Sequence, residues 1–418
     1  MDCFEITGPN RLEGRVEAAG AKNAALPALA ATLLAEGTVE LTGLPRVRDI
    51  RTMGRLLEHL DTEVTLYEDV VRLTPSGVHV ADDADYELVK TMRASILVLG
   101  PLVARLGHAR VSLPGGCAIG VRPIDQHLAA LEALGAEVTL EHGYVTAKAK
   151  RLVGNHFRFS IPTVTGTENA LMAATLAKGT TVLENCAREP EIIDLARLLA
   201  AMGARIEGAG EERIEIEGVE SLTGATHRVI ADRIEGGTYL VGAAITGGDV
   251  TLVRASADDL APLLHVLEQA GCKVEALPDA IRVAADGTLS ATSIETSPHP
   301  GFPTDLQAQY MALMTQAEGR CGVHETVFEN RFQHAPELVR MGASIQVDGG
   351  RAWVEGPTPL SGAHVMATDL RASAGLVLAG LVAEGTTTVH RIYHLDRGYE
   401  GMEEKLRSLG ARVERTSE

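Results

Sequence analysis

The sequence predicts an α/β protein built from six copies of one unit, arranged as two domains of three units each, with helices buried beneath strands. One observation is a pattern of apolar helix, glycine turn and β-branched strand that recurs along the whole chain. Another is an amphipathic helix followed by a short strand, which recurs in step with the first pattern. Such self-similarity indicates a repeat architecture. The helices of the first pattern are rich in Ala, Gly and Leu on every face, and a helix that is apolar all round is buried.

The first pattern occurs six times at a regular spacing of about 70 residues, which indicates a repeated structural unit. Its helices are predicted at Ala28–Ala35, Ile96–Leu106, Ala170–Ala177, Tyr239–Ile245, Tyr310–Ala317 and Gly375–Ala383. The helices of the second pattern end in Leu/Met-Gly-Ala at Leu134, Met202, Met341 and Leu409, in Ala-Gly-Cys at Ala270, and without glycine at Leu60-Asp61-Thr62. Glycine just past a helix end adopts the left-handed conformation without a Cβ clash, so these glycines are predicted helix ends.

The domain boundaries follow from counting the units. The first 20 residues have strand character and no helix of their own, so they are predicted to complete the last unit. This places both termini in the second domain. The first domain is therefore predicted at 21–230 and the second at 1–20 plus 231–418, with the chain crossing near Gly20 and again near Val229–Arg233. A chain of 418 residues is also long enough to expect two domains.

Composition and charge exclude several classes of partner. The chain is 45% hydrophobic and 22% charged, as expected of a soluble globular protein, and its formal charge of -18 disfavours nucleic acids and anionic membranes. No apolar run is long enough to span a bilayer, and the N-terminus has no signal-peptide pattern, so we expect a cytoplasmic protein. The five cysteines are widely spaced without a C-x-x-C motif, which argues against disulfides and zinc. Oligomeric state is not indicated.

The glycine-rich loop at 113–123 holds the most unusual group of residues. It contains three glycines and two prolines within ten residues, one thiol at Cys117, and Arg122 fixed by the following Pro123. A lone cysteine is more often a small buried hydrophobe than a reactive group. Here the loop setting and the nearby cation favour the thiolate, so Cys117 is predicted to be functional. The cysteines without this setting are predicted to be structural: Cys3, Cys186, Cys272 and Cys321.

Three loops of the first half carry polar residues in front of predicted helices. Lys22 and Asn23 stand at the entrance of a small-residue helix, where a phosphate or carboxylate would be favoured. The alternative is a surface lysine beside an asparagine cap. Arg93 precedes an apolar helix and either binds an anion or is a solvated surface arginine. The hydroxyl groups of Thr163–Asn169 are explained equally well by a plain N-cap.

The second half carries an acid and several arginines in equivalent loops. Asp305 lies in the first turn of a predicted helix, where it either caps the helix or takes a proton from a hydroxyl. Arg331, Arg371 and Arg397 occupy slots equivalent to those of the first-half arginines. An acidic protein that places arginines at repeated loops is predicted to hold a multiply charged anion with them.

These loops together resemble the UDP-N-acetylglucosamine 1-carboxyvinyltransferases, the enolpyruvyl transferase family of peptidoglycan synthesis. The most specific blocks are Lys22-Asn23, Pro114–Cys117, Phe302–Asp305 and Thr368–Ala372, and further blocks extend the resemblance along the whole chain. The resemblance implies an inside-out α/β barrel with two domains of three βαβαββ units and an active site in the cleft between them. It also implies transfer of enolpyruvate from phosphoenolpyruvate to the 3-hydroxyl of UDP-N-acetylglucosamine, with release of phosphate and without a metal or organic cofactor.

The resemblance also implies a role for each site residue. Cys117 would be the general acid toward the phosphoenolpyruvate methylene and would react with the covalent inhibitor fosfomycin. Lys22, Arg122 and Arg397 would hold the phosphate and carboxylate, and Asp305 would orient or deprotonate the sugar hydroxyl. The residues implied to line or support the substrate site are Lys22, Asn23, Arg93, Arg122, Pro123, Ile124, Asp125, Gln126, Thr163, Val164, Asp305, Val327, Arg331, Asp369 and Arg371.

The chain departs from the family pattern in two places. Many members have Ser-Val-Gly where this chain has Thr163-Val164-Thr165, and Gln126 occupies a position that is often apolar. Two alternatives remain open. The first is enolpyruvyl transfer to shikimate 3-phosphate, by a sister family that shares the fold but does not use the cysteine loop. The second is a non-catalytic UDP-sugar-binding homologue, which the presence of Lys22, Cys117, Asp305 and Arg397 argues against.

Overall fold

The computed structural model describes residues 2–76, 83–84, 92–113 and 124–417, so Cys117, Arg122 and Pro123 lie outside the described residues. The strands of the described residues are β1 (Asp2–Gly8), β2 (Glu13–Glu17), β3 (Ala35–Glu36), β4 (Val39–Thr42), β5 (Thr62–Tyr67), β6 (Val70–Pro75), β7 (Asp83–Ala84), β8 (His108–Ser112), β9 (Glu137–Glu141), β10 (Tyr144–Lys148), β11 (His156–Arg158), β12 (Thr180–Glu184), β13 (Arg205–Glu207), β14 (Arg213–Glu217), β15 (Leu222–Thr223), β16 (Thr226–Arg228), β17 (Asp249–Val253), β18 (Lys273–Leu277), β19 (Ala280–Ala284), β20 (Ile294–Glu295), β21 (Gly319–His324), β22 (Ser344–Asp348), β23 (Arg351–Gly356), β24 (His364–Met366), β25 (Gly385–His390) and β26 (Val413–Ser417).

The α-helices are α1 (Lys22–Ala31), α2 (Arg48–His59), α3 (Leu99–Leu106), α4 (Asp125–Ala133), α5 (Val164–Ala174), α6 (Pro190–Ala201), α7 (Arg233–Ile245), α8 (Ala261–Gln269), α9 (Gln307–Met314), α10 (Ala335–Arg340), α11 (Leu370–Val382) and α12 (Met402–Ser408). Short 3₁₀ helices occur at Thr32–Leu34, Arg93–Val98, Asp258–Leu260, Thr304–Leu306 and Ile392–Arg397. No helix in the described part of the chain is both long and apolar enough to cross a membrane.

The described residues pack into two compact units. The central unit takes its residues from 20–230, and the terminal unit consists of 2–19 together with 231–417. Each unit has a hydrophobic core of its own. The chain therefore leaves the terminal unit after Ala19 and returns to it at Ala231.

The four-stranded sheets of both units share one hydrogen-bonding order. In the described residues of the central unit these sheets are β16-β4-β6-β5, β7-β8-β10-β9 and β11-β12-β14-β13. In those of the terminal unit they are β2-β17-β19-β18, β20-β21-β23-β22 and β24-β25-β1-β26. In every sheet the first two strands are parallel, and each later neighbour is antiparallel. The repeated sequence pattern thus corresponds to a repeated strand order.

The N-terminal strands correct one expectation from the sequence. Strand β1 lies between β25 and β26 and completes the last sheet, as expected. Strand β2, which was also expected there, instead runs parallel to β17, with Val16 opposite Leu252. The turn between the two strands explains the difference, because the Asn10 backbone and side chain both donate hydrogen bonds to the Leu381 carbonyl. Beyond this anchored turn the chain enters the neighbouring sheet, where Val16 is buried in the core.

Five of the six helices of the first pattern are almost wholly buried, as their composition predicts, whereas α3 has five buried residues out of eight. Buried residues make up eight of ten in α1, nine of eleven in α5, twelve of thirteen in α7, all eight in α9 and eleven of thirteen in α11. Helices α7, α9 and α11 pack against one another inside the terminal unit, and α5 packs against α1 and α3 inside the central unit. Helices α1, α5, α7, α9 and α11 each begin three to six residues earlier than the apolar stretch predicts, so their first turns carry polar side chains.

The ends of the amphipathic helices follow the predicted glycine rule. Glycine follows the helix with φ between +90° and +108° at Gly135, Gly203, Gly271, Gly342 and Gly410. Helix α2 lacks this glycine, and Asp61 adopts the left-handed conformation in its place, with φ of 56°. Aspartate tolerates this region better than most residues, which explains how the first unit keeps the same turn without glycine.

Candidate active site

The predicted anion-binding lysine of the central unit is held at a helix start. Lys22 is the first residue of α1, and its Nζ lies 3.3 Å from Oδ2 of Asp49 in α2. Only 12% of the Lys22 side chain is exposed, so it is not an ordinary surface lysine. Asn23 is the second helical residue, and Ala21 occupies the N-cap position, so Asn23 does not cap the helix. Both side chains belong to the helix turn whose free N–H groups favour an anion.

The starts of α4 and α5 are joined by Gln126. Its Oε1 accepts a hydrogen bond of 2.8 Å from the Ser160 backbone N–H, and its Nε2 donates one of 2.9 Å to Asp125 Oδ2. Thr163 is the N-cap of α5 and accepts a hydrogen bond from the Gly166 N–H, so the capping alternative describes its side chain. The departure from an apolar residue at position 126 therefore brings the Ile124–Gln126 turn to the segment that precedes Val164.

A buried histidine behind these turns was not predicted. The His127 side chain is in contact with α5 through two hydrogen bonds: Nδ1 lies 3.0 Å from Asn169 Nδ2, and Nε2 lies 3.2 Å from Thr165 Oγ1. Asn169 Oδ1 accepts from the Gly100 N–H at 2.7 Å, which fixes the orientation of the amide. Since Asn169 Nδ2 only donates, His127 Nδ1 accepts and the proton resides on Nε2. Burial, followed by the positive charge of Arg93, lowers the pKa of His127 to about 3.

The only sequence signal for His127 was its position on the apolar face of α4. It precedes Ala130 and Leu131 by three and four residues, and all three are buried. Its partner Asn169 lies 42 residues further along the chain, and no local pattern reports such a contact. Arg93, which acts electrostatically on His127, opens the 3₁₀ turn Arg93–Val98 that leads into α3.

In the terminal unit, Asp305 is clamped by two buried arginines. Arg331 Nη2 lies 2.8 Å from Asp305 Oδ1, and Arg371 Nε lies 3.1 Å from Oδ2. Each arginine side chain is 4% exposed, whereas the aspartate is 26% exposed. Although burial opposes the charge of Arg371, the Asp305 carboxylate and other neighbours keep its pKa above the usual value. The structure thus brings together three residues that the sequence nominated separately.

Asp369 supports this cluster as the N-cap of α11. Its Oδ1 accepts hydrogen bonds from the backbone N–H groups of Arg371, at 2.8 Å, and Ala372, at 3.1 Å. Asp232 caps α7 in the same way through Ile234 and Glu235. In both helices the cap fixes the first turn and places a negative charge at the positive helix end.

A buried polar network beneath Asp305 was missed from the sequence. The Tyr399 hydroxyl lies 2.9 Å from Thr238 Oγ1 and accepts from Gln309 Nε2 at 3.2 Å. Gln309 Nε2 also lies 3.0 Å from the Asp305 carbonyl oxygen. The Arg371 guanidinium stands 5.6 Å from the centre of the Tyr399 ring. These contacts connect three helices and support the Asp305 turn from its backbone side.

Arg397 and Val327 lie in separate segments of the terminal unit. Arg397 ends the 3₁₀ turn Ile392–Arg397, and the preceding Asp396 pairs with Arg415 in β26. Burial and then the Arg397 charge lower the pKa of the adjacent His394. Val327 is 36% exposed, and its backbone N–H donates a 2.9 Å hydrogen bond to Glu325, a residue that sequence reasoning did not single out.

The cysteines predicted to be structural are buried free thiols: Cys3, Cys186, Cys272 and Cys321. Burial raises the pKa of Cys272 to about 11 and that of Cys186 and Cys321 to about 12, which removes thiolate character at neutral pH. Within the described ranges, no group of three or more His, Cys, Asp or Glu side chains is arranged to hold a metal ion.

Comparison with solved structures identifies the architecture. The structure matches the enolpyruvyl transferase NikO from Streptomyces tendae with a TM-score of 0.90 and 28% identity, covering 100% of this chain and 99% of that one. It matches EPSP synthase from Acinetobacter baumannii with a TM-score of 0.76 and 22% identity over the full length of both chains, a likeness of fold alone. The fold is therefore the mixed α/β fold of the enolpyruvyl transferases.

Comparison of sequences identifies the family. Residues 6–406 match the family model of EPSP synthase (3-phosphoshikimate 1-carboxyvinyltransferase). A UDP-N-acetylglucosamine 1-carboxyvinyltransferase from Koribacter versatilis is 59% identical, covering 100% of this chain and 97% of the relative. Proteins of the same name from Desulforapulum autotrophicum and Anaeromyxobacter dehalogenans are 56% and 58% identical, with at least 99% of each chain covered. The chain thus belongs to the EPSP synthase family of enolpyruvyl transferases and, within it, to the UDP-N-acetylglucosamine 1-carboxyvinyltransferases.

Proposed function

We infer that this enzyme transfers the enolpyruvyl group of phosphoenolpyruvate to the 3-hydroxyl of UDP-N-acetylglucosamine and releases phosphate, a step of peptidoglycan synthesis. The observation that carries this inference is the 59% identity, over the whole chain, to a protein named for that activity. The alternative acceptor, shikimate 3-phosphate, has weaker support because the EPSP synthase structures are only 22% identical. Clustered cations at the helix starts of an otherwise acidic protein are consistent with two anionic substrates.

We further propose that the shared strand order reflects six βαβαββ repeats, three in each unit, in an inside-out α/β barrel. Several repeats are continuous, for example β20-α9-β21-α10-β22-β23. Others are completed by distant strands: β16 supplies the first strand of the α1–α2 repeat, β2 that of the α7–α8 repeat, and β1 the last strand of the α11–α12 repeat. The buried helices and the repeat count support domains at 21–230 and 1–20 plus 231–418.

In the proposed reaction an acid protonates the methylene carbon of phosphoenolpyruvate, and the sugar oxygen adds to the neighbouring carbon as its hydroxyl proton passes to Asp305. Phosphate then leaves, and the former methylene carbon gives up a proton to restore the double bond. We propose Cys117 as the acid, with Lys22, Arg122 and Arg397 holding the phosphate and carboxylate. Fixed cations stabilise the charge that develops in such a step without reorganising during it. The support for Lys22 is its burial at the start of α1 beside Asp49.

Asp305 is proposed to accept a hydrogen bond from the sugar hydroxyl and so to orient its oxygen. Its Oδ1 accepts a hydrogen bond from Arg331 Nη2, and its Oδ2 lies 3.1 Å from both Nε and Nη2 of Arg371. The two guanidinium groups fix the carboxylate plane. Its 26% exposure leaves room for a ligand to approach.

Residues that contact the UDP-sugar are proposed within each unit, taken by itself. In the central unit the contacts would come from Asn23, Arg93, Arg122, Pro123, Ile124, Asp125, Gln126, Thr163 and Val164. The first turns of α1, α4 and α5 offer N–H groups suited to a diphosphate. In the terminal unit the contacts would come from Asp305 and the exposed Val327, with Arg331, Asp369 and Arg371 in support.

The proposed role of Cys117 is tested by phosphate release from phosphoenolpyruvate in the presence of UDP-N-acetylglucosamine. Wild-type protein should release phosphate, Cys117→Ala should lose this activity, and fosfomycin should inactivate the wild type by modifying Cys117. Cys272→Ala is the matched control, because that thiol is buried and its pKa is raised to about 11. Full turnover by Cys117→Ala would refute the proposed acid, and absence of turnover by the wild type would favour the non-catalytic homologue.

A further inference from the structure

Glu325 is a buried carboxylate that joins three segments of the terminal unit. It follows β21 and is 5% exposed. Its Oε1 accepts hydrogen bonds from Thr296 Oγ1 at 2.9 Å and from the N–H groups of Val327 and Phe328 at 2.9 and 3.1 Å. Its Oε2 accepts a hydrogen bond of 2.8 Å from Thr304 Oγ1. One side chain therefore ties the 325–332 loop to the end of β20 and to the turn that carries Asp305.

The two oxygens of Glu325 serve different parts of the proposed site. Oε1 holds the backbone of Val327, which is proposed to contact the UDP-sugar. Oε2 holds Thr304, the residue before Asp305, which is proposed to orient the sugar hydroxyl. The same loop also supplies Arg331, which bonds to Asp305 Oδ1 at 2.8 Å. The loop thus contacts the Asp305 turn at two points, through the hydrogen bond of Glu325 to Thr304 and through that of Arg331 to Asp305.

The hydroxyl of Thr296 completes the Oε1 side. It accepts a hydrogen bond of 3.0 Å from the Thr326 N–H and donates one to Glu325, so both of its roles are fixed. All four partners of Glu325 present an N–H or O–H to it, which suits a carboxylate that acts only as an acceptor. A glutamine at this position has one acceptor oxygen and cannot accept on both sides, although its amide can still donate to the Thr304 hydroxyl after that hydroxyl rotates.

We propose that Glu325 is a positioning residue that couples the UDP-sugar contact at Val327 to the orientation of Asp305. This inference rests on the proposed function, because it assigns the two ends of the coupling to sugar binding and to the reacting hydroxyl. Binding of the sugar and placement of the hydroxyl acceptor are then linked through one carboxylate. A small displacement of a positioned reacting group lowers the reaction rate, so disturbing the Asp305 end should lower kcat. Disturbing the Val327 end should instead raise KM for the sugar nucleotide.

Two threonine variants separate the two ends. Thr304→Val removes the Oε2 bond, and we expect kcat to fall about tenfold while KM for UDP-N-acetylglucosamine changes by less than about twofold. Thr296→Val removes a bond on the Oε1 side, and we expect KM for the sugar nucleotide to rise about tenfold with a smaller change in kcat. Glu325→Ala should show both changes, and Glu325→Gln should recover part of each.

Glu295→Gln is the matched control. Glu295 is adjacent to Thr296, but its side chain is 65% exposed and pairs with His324 rather than with the loop. We expect wild-type kinetics from this variant.

The split between kcat and KM decides whether the coupling exists, because a merely structural role would not move them separately. The proposal is overturned if Thr304→Val and Thr296→Val leave both parameters unchanged or alter them in the same proportion. It is equally overturned if Glu325→Ala lowers thermal stability alone. If Glu325→Ala does not fold, the two threonine variants still decide the question. A wild-type protein without turnover would instead refute the proposed function, so the two failures are distinguishable.

Discussion

His127 illustrates how a single buried side chain organises the central unit. It links the first turn of α4 to α5 through Thr165 and Asn169, and Asn169 in turn holds the backbone of Gly100 in α3. The histidine is neutral in the folded protein, because burial and the charge of Arg93 lower its pKa to about 3. Its contribution is therefore to hold the turns at Ile124–Gln126 and Thr163 in place.

The lowered pKa of His127 predicts a pH dependence of stability. Below pH 6.5, the pKa of His127 in the unfolded chain, the unfolded chain binds a proton at this residue and the folded protein does not. The free energy of unfolding that is present above pH 6.5 is therefore lost as the pH falls toward 3. Between pH 7 and pH 5 the wild type should lose about 2 kcal/mol more free energy of unfolding than His127→Gln. Urea denaturation at both pH values measures this difference. His265→Gln, at an exposed position, should keep the wild-type slope, and an unchanged slope in His127→Gln would contradict the assignment.

The clamp on Asp305 makes a second prediction at the residue scale. Arg371→Met removes one of two buried cations from the carboxylate, and the free energy of unfolding should fall by roughly 3 kcal/mol, as when a buried ion pair loses one partner. Urea denaturation measures the loss. Combining Arg371→Met with Asp305→Asn should cost at least about 1 kcal/mol less than the sum of the single changes, because both remove the same interaction.

The control for this prediction is Arg320→Met, whose side chain is 56% exposed and lies 3.9 Å from Glu355. A surface pair of this kind contributes less than about 1 kcal/mol. Strict additivity of Arg371→Met and Asp305→Asn would mean that the two residues act independently.

At the scale of the element, the buried helices place the proposed site residues at or near their first turns. Composition located these helices correctly, because Ala, Gly and Leu on every face have no other stable environment. It placed their starts too late: α1 was predicted at Ala28–Ala35 and observed at Lys22–Ala31, and α7 was predicted at Tyr239–Ile245 and observed at Arg233–Ile245. The missing turns contain the polar residues that cap the helices or bind charge, and these residues interrupt the apolar pattern.

Two helical glycines, one closely packed and one in open space, are predicted to respond oppositely to substitution by alanine. A Cβ at Gly100 would lie 2.3 Å from Asn169 Oδ1, so Gly100→Ala should lower the free energy of unfolding by about 1–3 kcal/mol and disturb the contact with His127. A Cβ at Gly54 in α2 would have no neighbour within 4 Å, so Gly54→Ala should raise the free energy of unfolding by up to about 1 kcal/mol. Denaturation curves of both variants test the contrast, and stabilisation by Gly100→Ala would contradict the packing.

At the scale of the whole molecule, the repeat explains both what the sequence predicts and what it leaves out. Periodicity within each unit marks its helices and turns, so the fold class is accessible without a structure. The pairing of the strands cannot be predicted in the same way, because β2 pairs with a strand more than 230 residues away and β16 pairs with β4 across the central unit. The same limit applies to the proposed site: Lys22, Asp305 and the arginines belong to recognisable sequence motifs, whereas Glu325 and Asn169 act through contacts that form only on folding.

The net charge of the whole chain gives the arginine loops their significance. With a formal charge of -18, the molecule as a whole repels anions, so phosphoenolpyruvate and UDP-N-acetylglucosamine require local positive charge. Lys22 and Arg93 in the central unit and Arg331, Arg371 and Arg397 in the terminal unit can supply that charge at helix starts and turns. Enolpyruvyl transfer to a nucleotide sugar is the activity that both this arrangement and the full-length family match support.

Identification of the product tests this central claim most directly. Phosphoenolpyruvate is supplied together with equal amounts of UDP-N-acetylglucosamine and shikimate 3-phosphate, and the products are resolved by mass spectrometry while released phosphate is counted. We predict that the nucleotide sugar alone gains one enolpyruvyl group, with one phosphate released for each product molecule. An enolpyruvyl group on shikimate 3-phosphate, or phosphate release without a modified nucleotide sugar, would contradict the account.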